Sequence, residues 1–165
     1  KKKLSPRGGH LRRILVFYGG SDLTRETEKA IHALIRLALP SVDVDVIVGG
    51  SNSRQSDIAE LCSQYDFLHY YLQVDNIAEF MAKADLCLGA GGTTTWERCF
   101  LGLPAIVTAI AENQFEICRD CAEAGLIYYL GKWDEVSEAD IAESVKVFSQ
   151  PEKLRAFQQD CRLQK

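Results

Sequence analysis

The chain has 165 residues with 19 Lys and Arg against 23 Asp and Glu, a formal net charge of −4, and 47% apolar residues. That length suits a single domain with one core, and the acidic balance excludes an electrostatic nucleic-acid binder, which needs clustered cations to displace counterions. No stretch approaches the roughly 18 to 20 continuous apolar residues that span a bilayer, and no apolar run follows the basic residues 1–3 to make a signal peptide, so a soluble, cytoplasmic protein is expected.

Residues 1–12 are basic and carry Pro6, Gly8 and Gly9, the composition of a linker; the domain is expected over 13–165. Six short β-rich runs follow: ILVFY at 14–18, VDVIV at 44–48, FLHYYL at 67–72, DLCLG at 85–89, PAIVT at 104–108 and LIYYL at 126–130. Helical periodicity fills the gaps at 24–38, 54–65, 76–83, 93–101 and 112–124. Two more helices close the chain, one capped by Ser137 with Asp140 three residues on, the other opened by Pro151 and running to about Arg162. Alternation of this kind predicts βαβ units with right-handed crossovers. The fold class is therefore α/β, a Rossmann-like six-stranded parallel sheet with helices on both faces.

In an open parallel sheet, ligands bind beyond the carboxyl ends of the strands. After the first strand come Gly19, Gly20, Ser21 and Asp22; after the fourth come Gly91 and Gly92, then Thr93 and Thr94 opening a helix. Glycines let backbone approach a ligand, and first-turn N–H groups with the helix dipole attract phosphate. Each turn alone also reads as a tight bend in which Ser21, Asp22 or Thr93 caps the next helix. Neither is a P-loop nor a G-x-G-x-x-G, so ATP and NAD are not favoured.

Glu97 falls one helical turn beyond Thr93, where a carboxylate reaches both hydroxyls of a ribose; the alternative is a solvated helix residue paired with Arg98 or Lys132. Asn113 and Gln114 stand with Glu112 at the same sheet edge after the fifth strand. Tyr70, Tyr71, Trp96, Phe100 and Phe115 read as core or sheet-face packing.

The six cysteines are scattered among apolar residues, which fits reduced thiols. Cys118 and Cys121 form a C-x-x-C inside a helical run without a second pair, and His10, His32 and His69 lack metal spacing. No metal, no cofactor, no Ser-His-Asp triad and no catalytic base are expected. The only methionine is Met81, so the chain is expected to lack its own start codon and something upstream.

The run GAGGTTTWERCFLGLPAIV at 89–107, with ILVFYGGSD at 14–22 before it and ENQ at 112–114 after it, resembles a specific family. It is similar to the C-terminal half of the UDP-sugar hydrolase of pseudaminic acid biosynthesis, which acts on a UDP-activated diacetamido-trideoxy-altropyranose, and to related spore-coat polysaccharide proteins. More distantly it resembles the UDP-N-acetylglucosamine transferase of peptidoglycan synthesis, a GT-B enzyme with two Rossmann-like domains. The resemblance spans about residues 12–160 and implies that Val74 lies against uracil, that Gly91, Gly92, Thr93 and Thr94 meet the diphosphate, and that Glu97 meets the ribose. It places Asn113 and Gln114 on the sugar side, and Ser21 and Asp22 along an interdomain cleft.

Leu23 stands where the family often has proline, and Thr93 where serine is common; neither change removes a donor. The family's histidine lies in a Gly-x-Gly-His motif after the first strand of an N-terminal domain that this chain lacks. Gly8-Gly9-His10 precedes a strand instead, the position of a linker coincidence. The expected whole protein is a UDP-sugar hydrolase of bacterial surface polysaccharide biosynthesis that releases UDP by water attack. The alternatives are a GT-B glycosyltransferase using the same half-site, or a module that only binds. The expected partners are a UDP-sugar and the N-terminal domain.

Overall fold

The computed structural model describes residues 9–92 and 94–163, so most of the expected linker and Thr93 lie outside the described residues. Chain order is β1 (Arg13–Phe17), α1 (Glu26–Leu37), β2 (Asp43–Val48), α2 (Gln55–Ser63), β3 (Leu68–Leu72), α3 (Ile77–Lys83) and β4 (Leu86–Ala90). It continues through α4 (Thr94–Leu101), β5 (Ala105–Ala109), a one-turn 3-10 helix (Glu112–Gln114), α5 (Phe115–Glu123), β6 (Tyr128–Lys132), α6 (Glu138–Phe148) and α7 (Pro151–Leu163).

All six strands pair in parallel in the order β3-β2-β1-β4-β5-β6. The sequence explains who sits where. LCLGA of β4 and AIVTA of β5 are buried throughout, as strands covered on both faces require, whereas β3 and β6 carry exposed residues and take the edges.

Alternate residues of one strand feed opposite cores. Ile14 and Val16 of β1 pack with Ile31 and Leu34 of α1, Ile58 of α2, Val145 of α6 and Leu154 of α7. Leu15, between them, packs with Met81 of α3, Leu103, and Cys118 and Cys121 of α5. The result is three layers, with α1, α2, α6 and α7 on one face and α3, α4 and α5 on the other.

Helix ends follow local chemistry. Ser137 and Asp140 form the expected capping box on α6, the Ser137 hydroxyl accepting the Asp140 N–H at 3.1 Å and the Asp140 carboxylate accepting the Ser137 N–H at 2.9 Å. Lys29 of α1 donates to the carbonyls of Trp133 and Val136 and pairs with the buried Glu26 at 2.8 Å, tying α1 to the loop after β6.

Several boundaries lie one or two residues from expectation, and two of these differences have a visible local cause. β6 begins at Tyr128 rather than at 126, because Gly125 at φ +77° turns the chain out of α5 and the Leu126 N–H is held by the Cys121 carbonyl. The helix expected from 112 opens as a 3-10 turn, in which the Gln114 N–H bonds to the Ala111 carbonyl.

Candidate functional site

The strand order reverses between β1 and β4: the chain leaves β1 toward one face of the sheet and β4 toward the other. Such a switch point opens a crevice at the carboxyl ends of the strands. Phe17 is in register with Gly89, so the turn after β1 and the turn after β4 emerge side by side. The two glycine turns singled out in the sequence therefore flank one crevice.

A cleft of about 540 Å³ opens there, lined by Phe17, Gly20, Ile47, Gly49, Gly50, Gln73, Val74, Ile77 and Thr94. That volume suits a small-molecule ligand. Gly20, Val74 and Thr94, three of the residues picked from sequence, come together in it. Gly49 and Gly50, which follow β2, and Gln73 complete the wall and were missed. The signal for the two glycines was present as a third strand–glycine–hydroxyl sequence, Gly49-Gly50-Ser51, ahead of a helix.

The backbone is tight on that side. A Cβ on Gly49 would run into the backbone of Gly20, and one on Gly50 into the side chain of Gln73, itself held at φ +48°.

The two turns differ in electrostatics. The Asp22 carboxylate accepts the N–H groups of Glu26 and Thr27, both at 2.9 Å, and the residue is 6% exposed at φ +46°. It fills the amide end of α1 with its own negative charge. Burial raises its pKa, and those N–H bonds oppose the rise. Gly20 and Ser21 are the exposed residues of this turn, while Gly19 supplies the φ of +93°.

At the other turn, the Thr95 N–H bonds back to the Gly92 carbonyl, and the acid in the first turn of α4, Glu97, is exposed. The start of α4 lies directly behind Gly91 and Gly92, where first-turn N–H groups attract an anion. Gly91 is backed by Cys118, whose Sγ a Cβ at 91 would strike, and a Cβ on Gly92 would lie 3.5 Å from Gln114 Nε2. Gln114 reaches the turn while its Oε1 accepts the Ile110 N–H at 2.9 Å, fixing the exit of β5 against the glycines.

Glu97 is exposed one turn along α4. Asn113 points elsewhere, into a groove of about 500 Å³ with Trp96, Glu116, Ile117 and Asp120. The two neighbours Asn113 and Gln114 thus serve different surfaces.

Three expectations are corrected. Trp96 and Phe100 are 62% and 74% exposed rather than packed in the core, because Thr95 and Arg98 take the inward face of α4. Arg98 is not a surface partner of Glu97; it is 1% exposed and donates from Nη2 to the Ala90 carbonyl at 2.8 Å and to Thr95 Oγ1 at 3.0 Å. Lys132 lies 4.5 Å over the Phe115 ring rather than beside Glu97.

The cysteines form no disulfide among the described residues, and burial pushes Cys118 up to about 11. Among the described residues no group of three His, Cys, Asp or Glu is placed to hold a metal, and no helix is long and apolar enough to cross a membrane.

Comparison with known proteins agrees with this geometry. The family description "Glycosyltransferase family 28 C-terminal domain" matches residues 14–159. Uncharacterized protein MJ1062 of Methanocaldococcus jannaschii is 31% identical over 111 residues, 66% of this chain and 22% of that protein. Spore coat polysaccharide biosynthesis protein SpsG of Bacillus subtilis is 25% identical over 121 residues, 73% of this chain and 36% of the relative.

Among solved structures, MurG of Acinetobacter baumannii superposes with a TM-score of 0.73 at 16% identity over 97% of this chain and 50% of its own. A UDP co-structure of S. aureus MnaA gives 0.73 at 15%, covering 92% of this chain and 40% of that one. The chain thus spans half or less of each of these proteins. The fold it shares with these solved structures is the Rossmann-like C-terminal half of a GT-B protein.

Proposed function

We propose, for a chain that belongs to the glycosyltransferase family 28 C-terminal domain family, that the crevice between the β1 and β4 turns holds the UDP moiety of a nucleotide-sugar. The observation that carries this reading is the Gly91-Gly92 turn into α4, set beside the β1 turn at the rim of the 540 Å³ cleft that Thr94 and Gly20 line. In it the backbone N–H groups of Gly91 and Gly92 and the hydroxyls of Thr93 and Thr94 meet the diphosphate. Glu97 accepts the ribose hydroxyls, and Val74 lies against the uracil. Gln114, held on the Gly92 side, faces the sugar, while Gly19, Gly20 and Ser21 front a second domain, with Asp22 keeping their turn in shape.

The chemistry open to these residues is stabilisation of a leaving group. Donors fixed before the reaction meet the charge that gathers on the diphosphate as the sugar–phosphate bond breaks. In the whole protein the sugar passes to an acceptor bound between this domain and a second one. A second reading, in which water takes the acceptor's place, is favoured by the likeness of the run at 89–107 to a UDP-sugar hydrolase. Release of UDP from a UDP-sugar by the full-length parent without any acceptor separates the two.

Uridine selectivity is tested by thermal unfolding. UDP at about 100 times its Kd adds about 2.7 kcal/mol of stability, a shift of several degrees for a domain of this size. UDP should raise Tm more than ADP does; no shift with millimolar UDP, or an equal one with ADP, removes the uridine assignment.

A further inference from the structure

Arg98 is a buried cation that forms no ion pair among the described residues. Its Nη2 is satisfied by the Ala90 carbonyl and Thr95 Oγ1, but Nε and Nη1 have no hydrogen-bond partner. The side chain it lies against is the Cys87 thiol, whose pKa is raised by burial, with the Arg98 charge opposing the rise. The strand is bare where the side chain crosses it, since a Cβ on Gly89 would lie 2.5 Å from Arg98 Nη1. A buried guanidinium normally rests on a carboxylate, because an unpaired buried charge is strongly destabilising.

Ala90 and Thr95 are the two ends of the glycine turn, the last residue of β4 and the second of α4. We infer that Arg98 is a positioning residue for that turn whose counter-ion is the ligand's diphosphate: it clamps both ends of the turn and sets a positive charge beneath the bound phosphates. It does so without touching them, since it is 1% exposed. The inference rests on the diphosphate reading above and names a residue which that reading does not use.

The test is titration of the 165-residue chain, wild type, Arg98→Lys and Arg98→Met, with UDP, pyrophosphate and uridine at several salt concentrations. Arg98→Met should lose on the order of tenfold or more in affinity for UDP and pyrophosphate, leave uridine binding unchanged, and flatten the salt dependence of UDP affinity. Arg98→Lys, which keeps charge but not the fork, should lie between. Equal losses for UDP and uridine, an unchanged salt slope, or no loss for UDP would overturn the inference. If Arg98→Met gives no cooperative melt, Arg98→Lys decides by the same comparison. A wild-type chain that binds pyrophosphate but not UDP removes the nucleotide reading and leaves Arg98 to the pyrophosphate titration. Binding of neither removes both.

Discussion

Gly49 and Gly20 meet backbone to backbone, so the turns after β1 and β2 share one wall of the cleft. Gly49→Ala must push the two turns apart and should destabilise the fold by about 1–3 kcal/mol, read as a lower urea midpoint. Gly20 itself has nothing within 4 Å of an added Cβ. Gly20→Ala should therefore stay within about 0.5 kcal/mol of wild type, while its methyl group takes room in the cleft and weakens UDP binding. The reverse order of stabilities would contradict the packing described here.

Gly91 and Cys118 are similarly matched. Gly91→Ala drives a methyl into the Cys118 sulfur, so it should be clearly destabilising alone and much less so combined with Cys118→Ala, which vacates the space. A double-mutant cycle by chemical denaturation should give a favourable coupling between roughly 0.5 and 3 kcal/mol. Strict additivity would mean that the two residues do not touch in solution.

The ribose role proposed for Glu97 separates the halves of the ligand. Glu97→Ala should weaken UDP by about 1.5–3 kcal/mol, the range of hydrogen bonds to a charged group, and leave pyrophosphate affinity unchanged. Calorimetry with both ligands checks this, and equal losses refute it.

Burial raises the pKa of Glu26 above the usual glutamate range, with Lys29 opposing and Asp22 reinforcing the shift. The folded chain then holds a proton to higher pH than the unfolded chain does. Stability from this group is accordingly greatest below the unfolded value and declines as pH rises from about 4 through the raised one. Glu26→Gln lacks this titration, so its urea midpoint should vary less between about pH 4 and neutrality. Some slope should survive from Asp22, whose pKa is raised in the same direction. A steeper profile in Glu26→Gln would reverse the sign assigned here.

The strands were legible because β1, β2, β4 and β5 are built of branched apolar residues that only a doubly covered sheet can bury, and the capping box at Ser137 announces itself by spacing alone. Both glycine turns were legible for the same local reason. Strand order was not, since nothing in a strand's own residues names its neighbour. Arg98 was the largest surprise: its charge reads as surface, and only the placement of Gly89 nine residues earlier, across the sheet, shows why it goes inside. Gln73 was invisible because its part depends on Gly50, on a different strand end.

Asp22 has a consequence for the direction of the ligand. The amide end of α1 is already neutralised, so the two glycine turns are unequal despite their two-fold look. On the proposed reading a molecule carrying a single pyrophosphate then lies one way round, its charged middle on the β4 side, one end toward β2 and β3 and the other toward the 3-10 turn. One capping carboxylate would thereby give the switch point its polarity.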